Sequence, residues 1–290
     1  MHTIALVTQK GGSGKSTLAT SLALAARRAG HTVRLIDTDP LGTLSNWQRR
    51  RGPAEPLVET VLNAREIEGR LHSLASQGVT VAIVDTPSGL SAASTAAVRY
   101  SDLCMIPARP SIADIEASAL TLSVVRAWKK PFAFILNQTP NRSPRVGSAA
   151  ATLSDDSGFD LADVVAQPFI VMRNDHQDAL AAGLSVGEYD PDGKSAQEIR
   201  NLWSWTETRL GAGVSAEVPM PRAKQFTALE FPILLRKPVE IVVYPPASHA
   251  LPAQTGIRAR WERYAAHLMQ ASASPSIEPG MSTSEQRVSR

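Results

Sequence analysis

The sequence predicts a three-layer α/β fold with a mainly parallel sheet, followed by an irregular, proline-rich C-terminal extension. Over residues 1–210, short apolar segments alternate with helix-like segments, which is typical of parallel strands covered by helices on both faces. Of the 290 residues, 43% are hydrophobic and 20% are charged, an ordinary globular composition that argues against disorder of the whole chain.

Six apolar segments are predicted strands. Thr3–Thr8 is the first and leads into a glycine-rich turn, after which Ser16–Ala29 is rich in Ala and Leu and lacks Gly and Pro, as a helix would be. Gly30 then provides a C-terminal cap. The other predicted strands are Thr32–Asp37, Thr80–Asp85, Asp102–Ala108, Pro131–Asn137 and Val164–Val171. The other predicted helices are Ala92–Tyr100, Ile112–Trp128, Gln177–Ala182 and Lys194–Leu210.

The character of the chain changes beyond Gly211. Residues 211–290 hold nine of the 20 prolines, and proline removes a backbone donor from helices and central strands. We therefore divide the chain into an α/β domain (1–210), a Pro-rich extension (211–270) and a disordered tail (271–290). Within the extension, Val239–Tyr244 is a possible edge strand and Ile257–Gln270 a possible helix with Arg residues beside its apolar face.

The net charge of +3 is unevenly distributed. Residues 1–210 contain 21 Lys and Arg against 21 Asp and Glu, whereas residues 211–290 contain 9 against 6. The basic pI of 9.2 therefore reflects the extension and gives no support to nucleic-acid binding by the α/β domain. Cys104 is the one cysteine, which excludes an internal disulfide and any site needing two cysteines. No apolar run reaches the ~18 residues that span a bilayer, and no secretory signal is found, so we expect a cytoplasmic protein.

A glycine-rich phosphate-binding loop lies between the first strand and the first helix. It comprises Lys10, Gly11, Gly12, Ser13, Gly14, Lys15, Ser16 and Thr17. The glycines allow successive N–H groups to point at phosphate oxygens, and the helix that follows adds the positive end of its dipole. Lys15 is expected to contact the β- and γ-phosphates, and the Ser16 hydroxyl to coordinate Mg²⁺.

Carboxylates end two of the predicted strands. Asp37 and Asp39 follow the second strand at positions i and i+2, so both point to one side of an extended segment and face the metal and γ-phosphate. The third strand, Val81–Val84, ends in Asp85, in the manner of a Walker B strand whose carboxylate contacts Mg²⁺ directly or through water. We thus expect Ser16 and Asp85 in the magnesium shell.

These motifs together resemble the deviant Walker A ATPases of the ParA/MinD superfamily, and most closely the short plasmid-type ParA proteins. The pattern KGGxGKST carries a lysine, Lys10, ahead of the glycine pair. The resemblance implies a P-loop NTPase fold, an ATP-bound homodimer in which Lys10 reaches the nucleotide of the other subunit, and an Asp39 that orients or deprotonates the attacking water. The resemblance also places Asp37, with Ser16 and Asp85, in the magnesium shell. Lys10, Lys15 and Asp39 are then the catalytic candidates. Leu41 stands where the family usually has Gln.

Later segments extend the resemblance over about residues 2–210. Asp102–Ser111 resembles the family stretch SDxxxIPxxPS, and Asn137 resembles the Asn that reads the adenine base; Asn137 could equally cap a turn. The chain begins at the P-loop strand, so we do not expect the operator-binding helix-turn-helix of longer ParA proteins.

The function implied by the resemblance is that of a DNA-partition ATPase. With ATP and Mg²⁺ it would dimerise, bind DNA non-specifically on the nucleoid and be stimulated by a ParB-like centromere-binding protein. Two alternatives stay open: a MinD-like membrane-associated positioning ATPase, although we do not expect a membrane partner, and a nucleotide-switched scaffold with little hydrolysis. The basic residues considered for DNA are Arg49, Arg50, Arg51, Lys129, Lys130, Arg142, Arg145, Arg173 and Arg200.

Overall fold

The structure, a computed structural model, describes residues 1–141, 144–158 and 161–211. Within them, a six-stranded sheet is parallel throughout, with the strand order β3-β2-β4-β1-β5-β6. Its strands are β1 (His2–Leu6), β2 (Val33–Asp37), β3 (Leu57–Thr60), β4 (Val81–Asp85), β5 (Leu103–Ala108) and β6 (Phe132–Leu136). Residues 212–290 lie outside the described residues, and with them the edge strand and the helix predicted for the extension.

Helices cover both faces of the sheet, which confirms the predicted three-layer architecture. They are α1 (Lys15–Arg28), α2 (Thr43–Arg51), α3 (Ile67–Ser76), α4 (Ala92–Tyr100), α5 (Ile112–Ala127), α6 (Pro144–Ser157), α7 (Leu161–Val164), α8 (Asp175–Ala181), α9 (Val186–Tyr189) and α10 (Lys194–Gly211). Helices α1, α2 and α8–α10 share one face with each other, and α3–α6 share the opposite face.

The two-residue period of the strands produces two separate cores. In β1, Ile4 and Leu6 pack beneath α1 and α10, whereas Ala5 faces the other side with the α3–α5 helices. Ile4 and Leu6 are fully buried, as is Trp47 of α2. Each such large apolar side chain contributes about 1.5–3 kcal/mol by leaving water. The strands are therefore apolar on both faces, the feature from which the sequence predicted a parallel sheet.

One predicted strand is wrong. Val165 and Val171 form only single parallel bridges, to Phe134 and Thr139, and Val164 ends α7. Pro168, between them, has no amide hydrogen to donate to a ladder. The sixth strand is instead β3 at the opposite edge, where four half-buried or exposed residues pair with β2 alone. The sequence reasoning also did not identify α2, α3, α6, α7 and α9.

The strand register assembles the candidate site at the carboxyl edge of the sheet. Asp85, the last residue of β4, lies opposite Asp37 of β2 on one side and Leu6 of β1 on the other. The loop after β1 therefore leaves the sheet between two strands, β4 and β5, both of which also end at this edge. Crevices at such points in parallel α/β sheets are where ligands bind.

Candidate functional site

The backbone of the glycine-rich loop is shaped by two residues with positive φ. Gly12 has φ 76° and Gly14 has φ 91°, both in the left-handed region that glycine adopts at little cost. Two amides after β6 hold the loop in place: Asn137 Nδ2 donates to the Ser13 carbonyl at 2.7 Å, and Gln138 Nε2 donates to the Gly12 carbonyl at 2.8 Å. The β6 end thus fixes the loop from the side.

Lys15 begins α1 and is buried beneath the loop. Its Nζ donates to Ser88 Oγ, in the loop after β4, at 3.2 Å. Burial lowers the pKa of this ammonium, and the nearby Asp85 and Asp39 carboxylates oppose the shift. Among the described residues, Ser88 is the hydrogen-bond partner of this buried cation, which is therefore well suited to receive phosphate oxygens.

Ser16 and Asp85 form the closest polar contact of the site. The Ser16 hydroxyl donates to Asp85 Oδ2 at 2.5 Å, while Oδ1 of the same carboxylate is buried with no hydrogen-bond partner among the described residues. Burial raises the pKa of Asp85 to about 7, against the Ser16 hydrogen bond and the Lys15 charge, and the neighbouring Asp37 and Asp39 raise it further. The carboxylate therefore lacks a sufficient counter-charge.

Asp37 and Asp39 lie beside this pair but are bonded differently. Asp37 is fully buried; its Oδ1 accepts the Asp39 amide at 3.1 Å, and its Oδ2 accepts the amide and the hydroxyl of Ser45 at 2.9 and 2.8 Å. Asp39 is half-buried, and its Oδ1 accepts the Leu41 amide at 2.9 Å. The Leu41 side chain is 81% exposed. Asp37 thus anchors the loop and the start of α2, whereas Asp39 keeps one oxygen available.

The composition of this cluster suits a divalent cation. The carboxylates of Asp37 and Asp39 lie near that of Asp85, and the Lys15 ammonium lies near Asp39 and Asp85. In the described part of the chain, no three His, Cys, Asp or Glu side chains converge as a complete metal site. Mg²⁺ usually takes only one or two carboxylates, with phosphate oxygens and water as its other ligands. The unpartnered Asp85 oxygen and the Ser16 hydroxyl fit this requirement; the metal assignments of Ser16, Asp37 and Asp85 stay predictions.

A cavity of about 320 Å³ opens beside the loop. Its wall includes Gly12, Gly14, Asn137, Gln138, Met172 and His176. A cavity of this size accepts a base and sugar next to phosphates held by the loop. Asn137 is buried, and one Nδ2 hydrogen donates to Ser13, which leaves its carbonyl oxygen and its second Nδ2 hydrogen for a base. Adenine contact by Asn137 stays a prediction, as does its alternative role as a cap.

Lys10 does not join the cluster around Lys15. Its Nζ lies 2.9 Å from Asp114 Oδ2 in the first turn of α5, and its side chain is 36% exposed. Asp114 was not anticipated from the sequence, although Ser111-x-x-Asp114 is a capping pattern that marks the start of α5. Ser88, which contacts Lys15, and Arg109, which also pairs with Asp114, were likewise not identified in these roles.

Most of the basic residues considered for DNA are bonded within the chain. Arg51 forms a bidentate ion pair with Glu188, and Arg173 forms another with Glu198. Arg49, Arg50 and Arg200 donate to Asn46, to the Leu180 carbonyl, and to the Pro191 carbonyl and Gln197, respectively. Lys129 and Lys130 make no side-chain hydrogen bond or ion pair with the described residues. Arg142 lies outside them.

Fold and site together define a P-loop nucleotide-binding protein. Residues 4–186 match the model of the CobQ/CobB/MinD/ParA nucleotide-binding domain, and the chain belongs to this family. It is accordingly an ATPase of the ParA/MinD type that uses ATP and Mg²⁺. The resemblance drawn from the sequence motifs is confirmed.

Individual proteins of known name are similar to this chain in sequence or in fold. The chain is 28% identical over 206 residues to maintenance of carboxysome distribution protein A of Halothiobacillus neapolitanus, covering 69% of this chain and 93% of the relative. It is 30% identical over 200 residues to the protein of that name from Gloeobacter kilaueensis, covering 67% and 87%. The fold is similar to that of the Pyrococcus furiosus cell division ATPase MinD, with a TM-score of 0.58 and 19% identity over 72% of this chain and 99% of that one. None of the helices in the described ranges is both long and apolar enough to cross a membrane.

Proposed function

We propose that this ATPase positions an intracellular cargo, as DNA-partition ATPases do, by cycling between a monomer and an ATP-bound dimer. In this proposal the protein is cytoplasmic, and its dimer associates with the nucleoid by binding DNA without sequence preference. A cargo-bound partner, of the ParB-like centromere-binding kind or an equivalent on another cargo, stimulates hydrolysis and release. The α/β domain of residues 1–210 performs the ATP cycle.

The position of Lys10 is the observation that carries the proposal. In this proposal one lysine of each chain contacts its own phosphates, and the buried Lys15 would have that role. Lys10 stands at the rim of the loop, partly exposed, and pairs with Asp114 rather than with the Asp85 cluster. A second, exposed cation beside the loop is suited to reach the triphosphate of a second copy, where it would stabilise charge that develops in phosphoryl transfer.

The remaining roles follow from the geometry of the chain's own residues. The N–H groups of the loop, together with Lys15, would hold the triphosphate. Ser16 and Asp85 would hold Mg²⁺, and Asp37 would support the segment that carries Asp39. Mg²⁺, when bound, supplies charge neutralisation at the phosphate oxygens. Asp39, with one carboxylate oxygen available, would orient the attacking water or accept its proton.

The nature of the cargo is suggested by two sources. The motif resemblance is closest to plasmid-type ParA proteins, which favours a DNA cargo. Two relatives are named for the maintenance of carboxysome distribution, which favours a cargo of that kind. Both cargoes are compatible with one cycle, because the ATPase would contact the cargo only through a partner protein.

The test is ATP-dependent binding of the full-length chain to random-sequence duplex DNA. We expect binding with Mg²⁺ and a slowly hydrolysed ATP analogue, little with ADP, and a steep loss of affinity as salt rises because phosphate contacts dominate. Lys10→Ala should abolish the ATP-dependent part while leaving monomer folding intact. No DNA binding in low salt with the analogue would contradict the proposal.

The same assay separates the two alternatives. Vesicles rich in anionic lipid replace DNA in a parallel arm, and nucleotide-dependent vesicle binding without DNA binding would favour the membrane-associated alternative. Dimerisation without any measurable phosphate release, with or without cargo partner, would favour the scaffold with little hydrolysis. The exposed Leu41, in the place of the family's Gln, is the residue that motivates this second alternative.

A further inference from the structure

One carboxylate, that of Asp114, binds two cations of the same chain. Its Oδ2 accepts from Lys10 Nζ at 2.9 Å and from Ser111 Oγ at 2.6 Å, and its Oδ1 accepts from Arg109 Nε at 3.0 Å. Although burial alone would raise its pKa, the hydrogen bonds from Arg109, Ser111 and Lys10 hold the pKa of Asp114 at about 2. The group is therefore an anion at neutral pH.

The two ends of the Lys10–Asp114 pair differ in burial. The Asp114 side chain is 2% exposed, whereas those of Lys10 and Arg109 are each 36% exposed. Removing a partner from a buried charge is costly when the charge is left alone. If Lys10 leaves, however, Arg109 and Ser111 still bind Asp114, and the Lys10 ammonium moves from one anion to another. The pair can open without leaving a buried charge unpaired.

The backbone around Lys10 keeps it near Asp114. The Gln9 amide donates to Thr121 Oγ1 of α5 at 3.2 Å, so the chain segment just before Lys10 is tied to the helix that carries Asp114. Ser111 caps the start of that helix through the Asp114 amide, which fixes the carboxylate at the rim of the loop. The pairing thus belongs to the local fold of this loop and α5.

We infer that Asp114 is a positioning residue that holds Lys10 in the monomer, and that Arg109 neutralises Asp114 when Lys10 moves to the nucleotide of a second copy. Asp114 and Arg109 then have opposite effects on ATP-dependent dimerisation. The inference rests on the proposed dimer and adds to it the intrachain contact with which dimer formation competes.

If dimer formation competes with the Lys10–Asp114 contact, substitutions of Asp114 and Arg109 should shift the midpoint of dimerisation in opposite directions. Asp114→Asn removes the anion that retains Lys10 and should lower the analogue concentration needed for half-maximal dimerisation. Arg109→Gln removes the competing cation, strengthens the Lys10–Asp114 pair and should raise that concentration. The double variant should behave like Asp114→Asn, because Arg109 acts only through Asp114. Asp114→Glu, which keeps the charge, should return the midpoint toward the wild-type value.

The experiment is sedimentation velocity of the full-length chain titrated with Mg²⁺ and a non-hydrolysable ATP analogue. For a partly exposed ion pair we expect a shift of about threefold per protomer. Glu116→Gln, which removes an exposed charge from the same helix, is the control and should leave the midpoint unchanged. A midpoint that is unchanged or raised in Asp114→Asn would overturn the inference, provided that thermal unfolding shows the variant to be folded.

A second measurement needs no dimer. Acylation of Lys10 by an amine-reactive reagent, followed by mass spectrometry of the nucleotide-free chain, should be faster in Asp114→Asn than in wild type and slower in Arg109→Gln. Equal rates in all three chains would contradict the retention of Lys10. If the rates differ as expected but wild type never dimerises with the analogue, the proposed function fails while the Lys10–Asp114 contact stands.

Discussion

Ser16 donates a hydrogen bond to Asp85 at 2.5 Å, and the second oxygen of that buried carboxylate has no partner among the described residues. Burial and the neighbouring Asp37 and Asp39 disfavour the charged form of Asp85. A divalent cation held by Ser16 and Asp85 would favour that charged form. The effect of Asp85 on stability and its effect on ligand binding can be measured separately.

Asp85→Asn should separate stability from ligand binding. The neutral amide can still accept from Ser16, and it removes a poorly compensated buried carboxyl group, so the ligand-free chain should be as stable as wild type or more stable. Wild type should gain about 2.7 kcal/mol from MgATP at one hundred times its Kd, and the variant almost none. Thermal unfolding with and without MgATP measures both. Equal stabilisation by MgATP would rule out the metal role of Asp85.

Gly14→Ala should be far more damaging than Gly12→Ala. Both glycines have positive φ, so each substitution carries backbone strain of about 1 kcal/mol. A Cβ at Gly14 would also clash with Asn137 Nδ2, whereas a Cβ at Gly12 meets nothing within 4 Å. Gly14→Ala must therefore displace Asn137 from the Ser13 carbonyl, and we expect it alone to lose nucleotide affinity by tenfold or more. Fluorescent-nucleotide titration of both variants checks this, and similar affinities would contradict the bracing role of Asn137.

The sequence predicted five of the six strands and the P-loop correctly because these depend on local patterns. The Asp85 carboxylate ends an apolar strand, and the Lys10–Thr17 motif lies between a strand and a helix, so each could be placed without tertiary knowledge. The edge strand β3 was missed because Leu57–Thr60 is short, half-buried and paired on one side only. Its apolar pattern is weak because an edge strand is less buried than the central strands.

Long-range polar contacts were beyond the reach of sequence reasoning. Lys10 and Asp114 are 104 positions apart, and Arg51 and Glu188 are 137 apart. The charge pattern alone offered Arg51 as a surface residue for DNA, whereas its side chain is 6% exposed and stacks 5.0 Å from the Trp47 ring. Only the fold brings α2 against α9, and this packing determines that Arg51 pairs with Glu188.

Glu188→Gln should destabilise the chain in a pH-dependent way. Burial raises the pKa of Glu188, but hydrogen bonds from Arg51 and the Ser185 amide outweigh burial and hold the pKa below the usual 4.5. A lowered carboxyl pKa stabilises the fold above the unfolded-state pKa, and that contribution is lost as pH falls through the folded-state value. Wild type should therefore exceed the variant by about 2 kcal/mol at pH 7.

The difference between the two chains should shrink below about pH 4.5, because protonated Glu188 resembles Gln. Urea unfolding from pH 7 down to pH 4 measures it, with the exposed Glu116→Gln as the charge-matched control. A constant difference across this range would show that Glu188 stabilises the fold through packing rather than through its charge.

Asp39→Asn tests the water-positioning role with the least structural change. The Asn side-chain oxygen can still accept the Leu41 amide, so the loop should keep its shape, but an amide cannot take a proton from water. We expect ATP binding and analogue-dependent dimerisation to persist while turnover falls by about 10²–10⁴-fold. Single-turnover phosphate release at saturating ATP, compared with Asp37→Asn, measures this.

Asp37→Asn weakens the contacts to Asp39 and Ser45 that support the segment, and should lower both affinity and turnover. Turnover near the wild-type rate in Asp39→Asn would assign the water to another group.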